Sequence, residues 1–257
     1  ETESMSRATC DKVVRYVQEL DEEVNVRFHG GEPLLVYENL RYLYDNLKKT
    51  EKIKTFGVTT NGTLLNKERV EFLCLAMDDL SISIDGNQEI HDKNRIDMFG
   101  KGSYKVASQW VPQILRLKPL TRVRMTIVPE NVAEMYDSVE YLISIGFKVI
   151  AMAVDVFDES WSEQNKQEYL KAVCLLNDKY KKNAEIHISA IEQDGIRRLA
   201  PCGGGKNSIH IAPNGDFYPC GFAVGMQEFV IGNFEIGVKP EKLLEIERAS
   251  QIINKEC

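Results

Sequence analysis

A short stretch early in the chain, residues 28–34, combines two adjacent glycines with a carboxylate. It follows alternating apolar residues at 24–28, which is typical of a strand, and it precedes a helical pattern. Gly30 and Gly31 permit positive φ and let a ligand approach the bare backbone. Glu32 is then placed to hold a small cationic group, such as an α-ammonium. For this motif alone, an ordinary strand-to-helix turn is an equally good interpretation.

Two further polar motifs end predicted strands later in the chain. Residues 60–62 (Thr-Asn-Gly) follow a strand pattern at 54–59, and residues 83–86 (Ser-Ile-Asp-Gly) end another. The carboxyl ends of parallel strands lie at the same edge of a sheet or barrel, where binding sites are usually built. Three such motifs at one edge predict a ligand site more strongly than any one of them does.

The elements that position these motifs are predicted from hydrophobic periodicity. A helix at 5–20, with Ser6 as its N-cap, comes first, and residues 90–95 are predicted to form a loop. Strands are predicted at 24–28, 54–59, 79–86, 122–128 and 147–154, and the helices that follow them at 37–49, 66–76, 104–117, 133–145 and 162–182. This alternation predicts an α/β fold with parallel strands joined by right-handed crossovers. A parallel barrel normally opens with a strand, so a first strand is expected before residue 1.

After residue 185 the pattern changes. Residues 207–212 alternate, residues 213–216 (Pro-Asn-Gly-Asp) predict a hairpin turn, and the returning strand is at 217–219. A helix predicted at 240–253 leads to Cys257.

The six cysteines fall into two groups. Cys74 and Cys174 have helical, apolar neighbours and are expected in the core, and Cys10 is expected to be structural. The other group lies in polar surroundings in the last quarter of the chain, and it consists of Cys202, Cys220 and Cys257. Thiolates held close together bind iron–sulfur clusters or structural zinc, and the residues alone do not decide between them.

Composition excludes some classes of function. The chain has 257 residues, a net charge of −7 and a pI of about 5.3, which argues against a nucleic-acid-binding protein. No apolar run approaches the roughly 20 residues of a membrane span, and the N-terminus does not resemble a signal peptide. These features predict a cytoplasmic protein with reduced cysteines and no membrane partner.

Taken together and in order, the motifs at 28–34, 60–65, 83–86 and 90–95 resemble those of radical S-adenosylmethionine (SAM) enzymes. The spacing of Cys202, Gly215 and Cys220 resembles the start of a SPASM domain, which binds auxiliary iron–sulfur clusters. The resemblance implies a partial (β/α)6 TIM-like barrel at 1–184, lacking its first strand. It also implies a linker and truncated SPASM segment, a β-hairpin plus a helix, at 185–257.

The resemblance also assigns roles to residues. Gly30, Gly31 and Glu32 would bind the methionyl amine of SAM. Ser83 and Arg95 match further cofactor-binding positions, and the guanidinium of Arg95 suits the carboxylate. The alternatives are a strand-end hydroxyl for Ser83 and a surface cation for Arg95.

Three more assignments concern the surroundings of the cofactor. Asn61 would support the site, although a role in the turn is equally consistent with the sequence. Ile150 or Met152 would offer an apolar contact to the adenine, with core packing as the alternative for both. Cys202 and Cys220 would hold one auxiliary [4Fe–4S] cluster, and Cys257 would begin the ligand set of a second.

The chain departs from the family in lacking C-x-x-x-C-x-x-C, the motif that holds the radical SAM [4Fe–4S] cluster. The ligands of that cluster are therefore expected outside this chain, as part of a longer protein. The chain by itself would then be inactive. The competing interpretation is a degenerate barrel that binds a peptide without catalysis.

The function implied is reductive cleavage of SAM to a 5′-deoxyadenosyl radical that modifies a peptide or protein substrate. A maturase of ribosomally made peptides is the first choice, with flavodoxin or ferredoxin as electron donor. A sulfatase maturase is the alternative. In that group an Asp acts as base directly after the cysteine that matches Cys220, and Gly221 stands there in this chain.

Overall fold

The computed structural model describes residues 3–192 and 203–256. Six strands form one sheet in sequence order, and every pairing from the second strand to the sixth is parallel. The strands are β1 (Val24–Phe28), β2 (Ile53–Thr60), β3 (Asp79–Ser83), β4 (Arg122–Ile127), β5 (Val149–Val154) and β6 (His187–Ile188). The predicted α/β class with parallel strands is confirmed.

Helices alternate with these strands. They are α1 (Arg7–Gln18), α2 (Tyr37–Leu47), α3 (Lys67–Ala76), α4 (Gln88–Asn94), α5 (Tyr104–Ser108), α6 (Val111–Leu117), α7 (Met135–Ser144) and α8 (Glu163–Tyr180). Side-chain caps explain several of their starts. Ser6 accepts a hydrogen bond from Thr9 N at 3.1 Å, which confirms the predicted N-cap of α1. Ser162 and Asn165 form a reciprocal capping box at the start of α8.

A second, antiparallel sheet lies in the C-terminal part of the chain. It has the strand order β10-β9-β8-β7. Its strands are β7 (His210–Ile211), β8 (Asp216–Tyr218), β9 (Gly232–Asn233) and β10 (Gly237–Val238), and α9 (Pro240–Glu256) follows them. The predicted hairpin corresponds to β7 and β8. The sequence did not reveal β9 and β10, because strands of two residues are too short to show periodicity.

The contacts divide the chain into two compact units. One comprises Val26–Leu35 and Thr55–Arg197, and it contains β2 to β6. The other comprises Glu1–Asn25, Val36–Lys54 and Arg198–Cys257. The domain boundary expected between residues 184 and 185 stays a prediction.

Alternation along β4 gives the sheet one apolar and one polar face. Val123, Met125 and Ile127 are at most 1% exposed. Arg122, Arg124 and Thr126 occupy the positions between them and are half-buried. The polar face of this strand carries the side chains of the site described below.

Three predictions about local structure were wrong. Residues 90–95 are mostly helical in α4, because the side chain of Asn87 accepts a hydrogen bond from Ile90 N at 3.0 Å and starts the helix. The helix expected at 104–117 is broken into α5 and α6, and Pro112 lies in the first turn of α6.

Cys174 is exposed, against the expectation of a core residue. The buried face of α8 carries Ala172, Leu176 and Tyr180, and a residue two positions after Ala172 points away from that face. Cys74 is partly buried and Cys10 fully buried, and burial raises the pKa of both thiols. Among the described helices, none is both long and apolar enough to span a membrane.

Candidate functional site: a basin at the carboxyl ends of the strands

A cavity of about 280 Å³ opens where β1 to β5 end. We call it the basin. Its lining residues come from β2 to β5, the loops that follow β1 and β2, and the end of α4: His29, Gly30, Gly31, Thr59, Thr60, Asn61, Ser83, Arg95, Arg124, Met125, Thr126 and Ala153. The structure therefore brings together Gly30, Gly31, Asn61, Ser83 and Arg95, as the sequence predicted.

The two glycines form an open part of the rim. Gly30 has a backbone φ of +148°, a value that residues with a side chain rarely adopt. A Cβ added at Gly30 or at Gly31 would meet no atom within 4 Å. Bare backbone thus faces space that a ligand can fill.

Glu32 is not among the lining residues, and its carboxylate is bound by the protein itself. Oε1 accepts hydrogen bonds from Leu34 N at 3.0 Å and from Thr60 Oγ1 at 2.8 Å, and Oε2 accepts one from Asn61 N at 2.7 Å. These contacts tie the loop after β1 to the end of β2. Glu32 therefore fixes the shape of the rim. Its carboxylate accepts three hydrogen bonds and has room for one further donor.

Asn61 has both roles that the sequence left open. Its backbone N–H binds Glu32, and the residue lines the basin. Its side-chain Oδ1 accepts from Thr63 N at 2.9 Å and from Thr63 Oγ1 at 2.7 Å, which is the pattern of an Asx turn.

Arg95 is held by a carboxylate that the sequence analysis did not single out. Its Nε and Nη2 donate to the two carboxylate oxygens of Asp85 at 2.7 and 2.9 Å, and Nη2 also lies 3.2 Å from Thr126 Oγ1. Asp85 is 1% exposed and also accepts from Thr126 N at 2.8 Å. The pair fixes the guanidinium of Arg95 at the basin and leaves Nη1 for a ligand. The sequence feature that could have revealed Asp85 is a carboxylate at the end of a predicted buried strand.

Arg124 is the second residue that sequence reasoning missed. In the register of the sheet it lies between Ser83 of β3 and Ala151 of β5. Burial lowers the pKa of its guanidinium, and the nearby Arg122 and Arg27 lower it further. The signal was an arginine at an inward position of a predicted strand.

Ile150 and Met152 do not line the basin. Ala153 does, and successive residues of a strand point to opposite faces. Ile150 is 1% exposed. Both side chains therefore lie on the other face of β5, and the structure gives no support to the adenine contact predicted for them.

The comparison with models of protein families shows the family of this chain. The model of the Radical SAM superfamily matches residues 2–166, which is more than half of the chain. The chain belongs to the radical SAM superfamily. Members of this superfamily use SAM and a [4Fe–4S] cluster.

Curated relatives include two named maturation proteins. The chain is 28% identical to the antilisterial bacteriocin subtilosin biosynthesis protein AlbA of Bacillus subtilis, over 79% of this chain and 45% of AlbA. It is 32% identical to a cysteine-type anaerobic sulfatase-maturating enzyme of Clostridium novyi, over 49% of this chain and 35% of that protein. The chain thus spans less than half the length of these two relatives.

Solved structures share the fold. A structure of anSMEcpe with bound AdoMet and Kp18Cys peptide has a TM-score of 0.81 at 19% identity, covering 96% of this chain and 75% of that one. Streptococcus suis SuiB has a TM-score of 0.64 at 13% identity, covering 90% and 58%. At these identities the match establishes the barrel-like radical SAM fold with its C-terminal hairpin segment.

The basin fits the methionyl end of SAM. The open backbone at Gly30 and Gly31 would accept hydrogen bonds from the ammonium. The fixed guanidinium of Arg95 would bind the carboxylate, and the hydroxyl of Ser83 adds a polar group to the same lining. The cluster cannot be placed in the same way. Within residues 3–192 and 203–256, no group of three or more His, Cys, Asp or Glu side chains could hold a metal ion.

Of the three cysteines predicted to bind clusters, only Cys220 lies within the described residues. It is partly buried and packs against Ala212, Tyr218 and Ala223. Cys202 and Cys257 lie outside the described residues, so their roles stay predictions.

Proposed function

We propose that this chain is the SAM-binding core of a radical SAM enzyme that modifies a residue of a peptide or protein, in the manner of maturases of ribosomally made peptides. The observation that carries the proposal is the basin, where Gly30, Gly31 and Ser83 at strand ends meet Arg95 at the end of α4. Parallel strands bring their carboxyl ends to one edge, but they do not require bare glycines, a hydroxyl and a guanidinium at those positions.

Each group has a task toward the cofactor. The backbone at Gly30 and Gly31, with the remaining capacity of Glu32, accepts the ammonium. Arg95 donates from Nη1 to the carboxylate, and Asp85 keeps its guanidinium oriented. Ser83 donates a hydrogen bond from the β3 side. When bound at a reduced [4Fe–4S] cluster, SAM supplies a 5′-deoxyadenosyl radical that abstracts a hydrogen atom from the substrate.

A peptide substrate is supported by the relatives. AlbA is named for bacteriocin biosynthesis, a structure of SuiB is described as bound to precursor peptide SuiA, and anSMEcpe is described with a bound peptide. An electron donor such as flavodoxin or ferredoxin and a cytoplasmic location belong to the same proposal.

Auxiliary clusters complete the proposal. Gly205 N donates to Pro219 O at 3.2 Å, which joins the backbone shortly after Cys202 to the residue before Cys220. This contact supports a shared ligand role for the two cysteines, with Cys257 beginning a further set. A structural zinc site made by the same thiolates is the alternative.

Sulfatase maturation is the second candidate, because the C. novyi enzyme is 32% identical over about half of the chain. Against it stands Gly221, at the position where the sequence analysis expected that group's aspartate base. A Cβ at Gly221 would lie 3.5 Å from His210 Cε1, so this position has room for a side chain but lacks a carboxylate.

The test is anaerobic reconstitution, with iron and sulfide, of a protein that joins this chain to a segment carrying C-x-x-x-C-x-x-C, followed by addition of SAM and dithionite. We expect bound iron and formation of 5′-deoxyadenosine. Arg95→Met should lower SAM affinity in calorimetry, whereas Arg116→Met, which removes an exposed arginine from α6, should not. A cluster-loaded protein that forms no 5′-deoxyadenosine would identify a non-catalytic binding module instead.

A further inference from the structure

Arg124 brings a positive charge to the lining of the basin. The structure shows no hydrogen bond or ion pair for its guanidinium within residues 3–192 and 203–256. Burial and the cations Arg122 and Arg27 lower the pKa of its guanidinium, and Asp79, the carboxylate that both of them bind, raises it without forming an ion pair with Arg124. Asp79 accepts hydrogen bonds from Arg122 Nη1 at 2.7 and 2.8 Å and from Arg27, and both of its oxygens are engaged by these two arginines.

Arg95 at the basin and Glu32 in the loop beside it both have partners within the protein. Arg95 has Asp85, and Glu32 has three hydrogen-bond donors. Arg124 therefore differs from both. A half-buried guanidinium that no anion binds is unfavourable, so a bound anion would stabilise Arg124.

The cofactor does not remove this excess charge. SAM carries a sulfonium and an ammonium against a single carboxylate, so it adds net positive charge to the basin. That carboxylate also has its own partner in Arg95. A second anion can therefore pair with Arg124, and a carboxylate of the substrate has the geometry to do so.

The neighbouring strand leaves room for that anion. In the register of the sheet, Arg124 lies opposite Ala151 and Thr126 lies opposite Ala153. These inward positions of β5 carry only methyl groups, and Ala153 lines the basin. A side chain entering from the β5 half of the basin can reach the guanidinium.

We propose that Arg124 binds a carboxylate of the substrate peptide and thereby selects peptides with an acidic group next to the modified residue. This inference rests on the proposed function and deepens it. The acidic group is either an Asp or Glu side chain or the C-terminal carboxylate, since both present the same two oxygens to a guanidinium.

The probe is a random peptide library, offered to the reconstituted protein in the presence of SAM in two forms, with free and with amidated C-termini. Wild type should enrich Asp or Glu at one position, or enrich free over amidated termini, and the pattern distinguishes the two sources of carboxylate. Arg124→Met should lower the affinity for the best acidic peptide at least tenfold, as expected for about one charge-assisted hydrogen bond. Arg124→Lys should retain part of the preference, and Arg124→Glu should favour Lys or Arg at that position.

The control is Arg116→Met, which removes one positive charge from an exposed position and should leave the enrichment unchanged. Two results would overturn the inference alone: peptides captured with the same preference by wild type and Arg124→Met, or loss of SAM affinity in Arg124→Met with peptide preference intact. Capture of no peptide by any variant would instead remove the peptide-modifying function, and the inference with it.

Discussion

Two carboxylates hold the basin in shape, and they do so by different means. Glu32 accepts from neutral donors, two backbone N–H groups and one hydroxyl. Asp85 is almost fully buried and binds a cation, Arg95, through both oxygens. Loss of Glu32 leaves neutral groups unpaired, whereas loss of Asp85 leaves a charge unpaired. Substitution of Asp85 should therefore lower the stability of the protein more than substitution of Glu32.

The largest effect is expected from Asp85→Asn. The amide leaves the half-buried Arg95 without its anion, which should lower the free energy of unfolding by about 3 kcal/mol. Urea denaturation measures this change. Asp45→Asn, at an exposed position on α2, is the matched control and should change stability little. If Asp85→Asn is additive with Arg95→Met in a double-mutant cycle, the two residues are not coupled and the comparison fails.

Glu32→Ala should have the next largest effect. It removes the acceptor of three hydrogen bonds and should cost about 1–2 kcal/mol of stability, because the donors become unpaired at a partly buried site. Glu32→Gln keeps one oxygen and should cost less. Both variants should weaken SAM binding in calorimetry.

Glu71→Ala, on the exposed face of α3, serves as the control for Glu32→Ala. A Glu32→Ala protein of unchanged stability but reduced SAM affinity would mean that Glu32 acts on the ligand directly, as the sequence alone suggested. The structure predicts that both quantities change together.

Gly30→Ala and Gly31→Ala separate the backbone of the rim from the space it encloses. Gly30 has a positive φ, so an alanine there should be strained and cost about 1 kcal/mol or more. Gly31 does not have a positive φ, and the methyl group of an alanine there would meet no atom within 4 Å. We expect Gly31→Ala to unfold at the wild-type urea concentration yet bind SAM more weakly. Normal SAM affinity in Gly31→Ala would place the cofactor elsewhere.

Much of this site was predictable because its parts are short local motifs. The positions of Gly30, Gly31, Ser83 and Arg95 followed from the order of strands and loops, since parallel strands bring their carboxyl ends to one edge. What the sequence did not reveal is which groups pair. Asp85 was part of a quoted motif, yet its bond to Arg95 depends on the geometry of α4, a helix that the sequence analysis took for a loop.

The positions of Ile150, Met152 and Arg124 follow from one physical cause, the alternation of side chains along a strand. The adenine contact predicted for Ile150 or Met152 rests on their apolar character, and it stays a prediction. Alternation directs both side chains to the face opposite that of Ala153, which lines the basin. By the same alternation Arg124 points into the basin. Periodicity shows that a strand has two faces, and the identity of the face that meets the ligand comes only from the neighbouring strands. The two-residue strand β6 shows no periodicity at all.

A third carboxylate, Asp79, tests the comparison with the smallest expected effect. It resembles Asp85 in binding cations, Arg27 and Arg122, but it is more exposed. Burial acts to raise the pKa of Asp79, and the hydrogen bonds from the two arginines outweigh it, so the pKa lies below its usual value. A carboxyl with a lowered pKa contributes stability at pH values above its unfolded-state pKa, and this contribution is lost as the pH falls through the folded-state pKa.

Wild type should therefore lose more stability than Asp79→Asn as the pH falls below about 4, the usual pKa of an aspartate. The difference should be about 1 kcal/mol or less, because Asp79 pairs with an exposed Arg27 and a half-buried Arg122, and solvent weakens such pairs. Urea midpoints measured across this range give the comparison, and raised salt should shrink the difference since exposed pairs are screened. Parallel pH profiles for the two proteins would show that cations stabilise a carboxylate of this sheet only where burial is as complete as at Asp85.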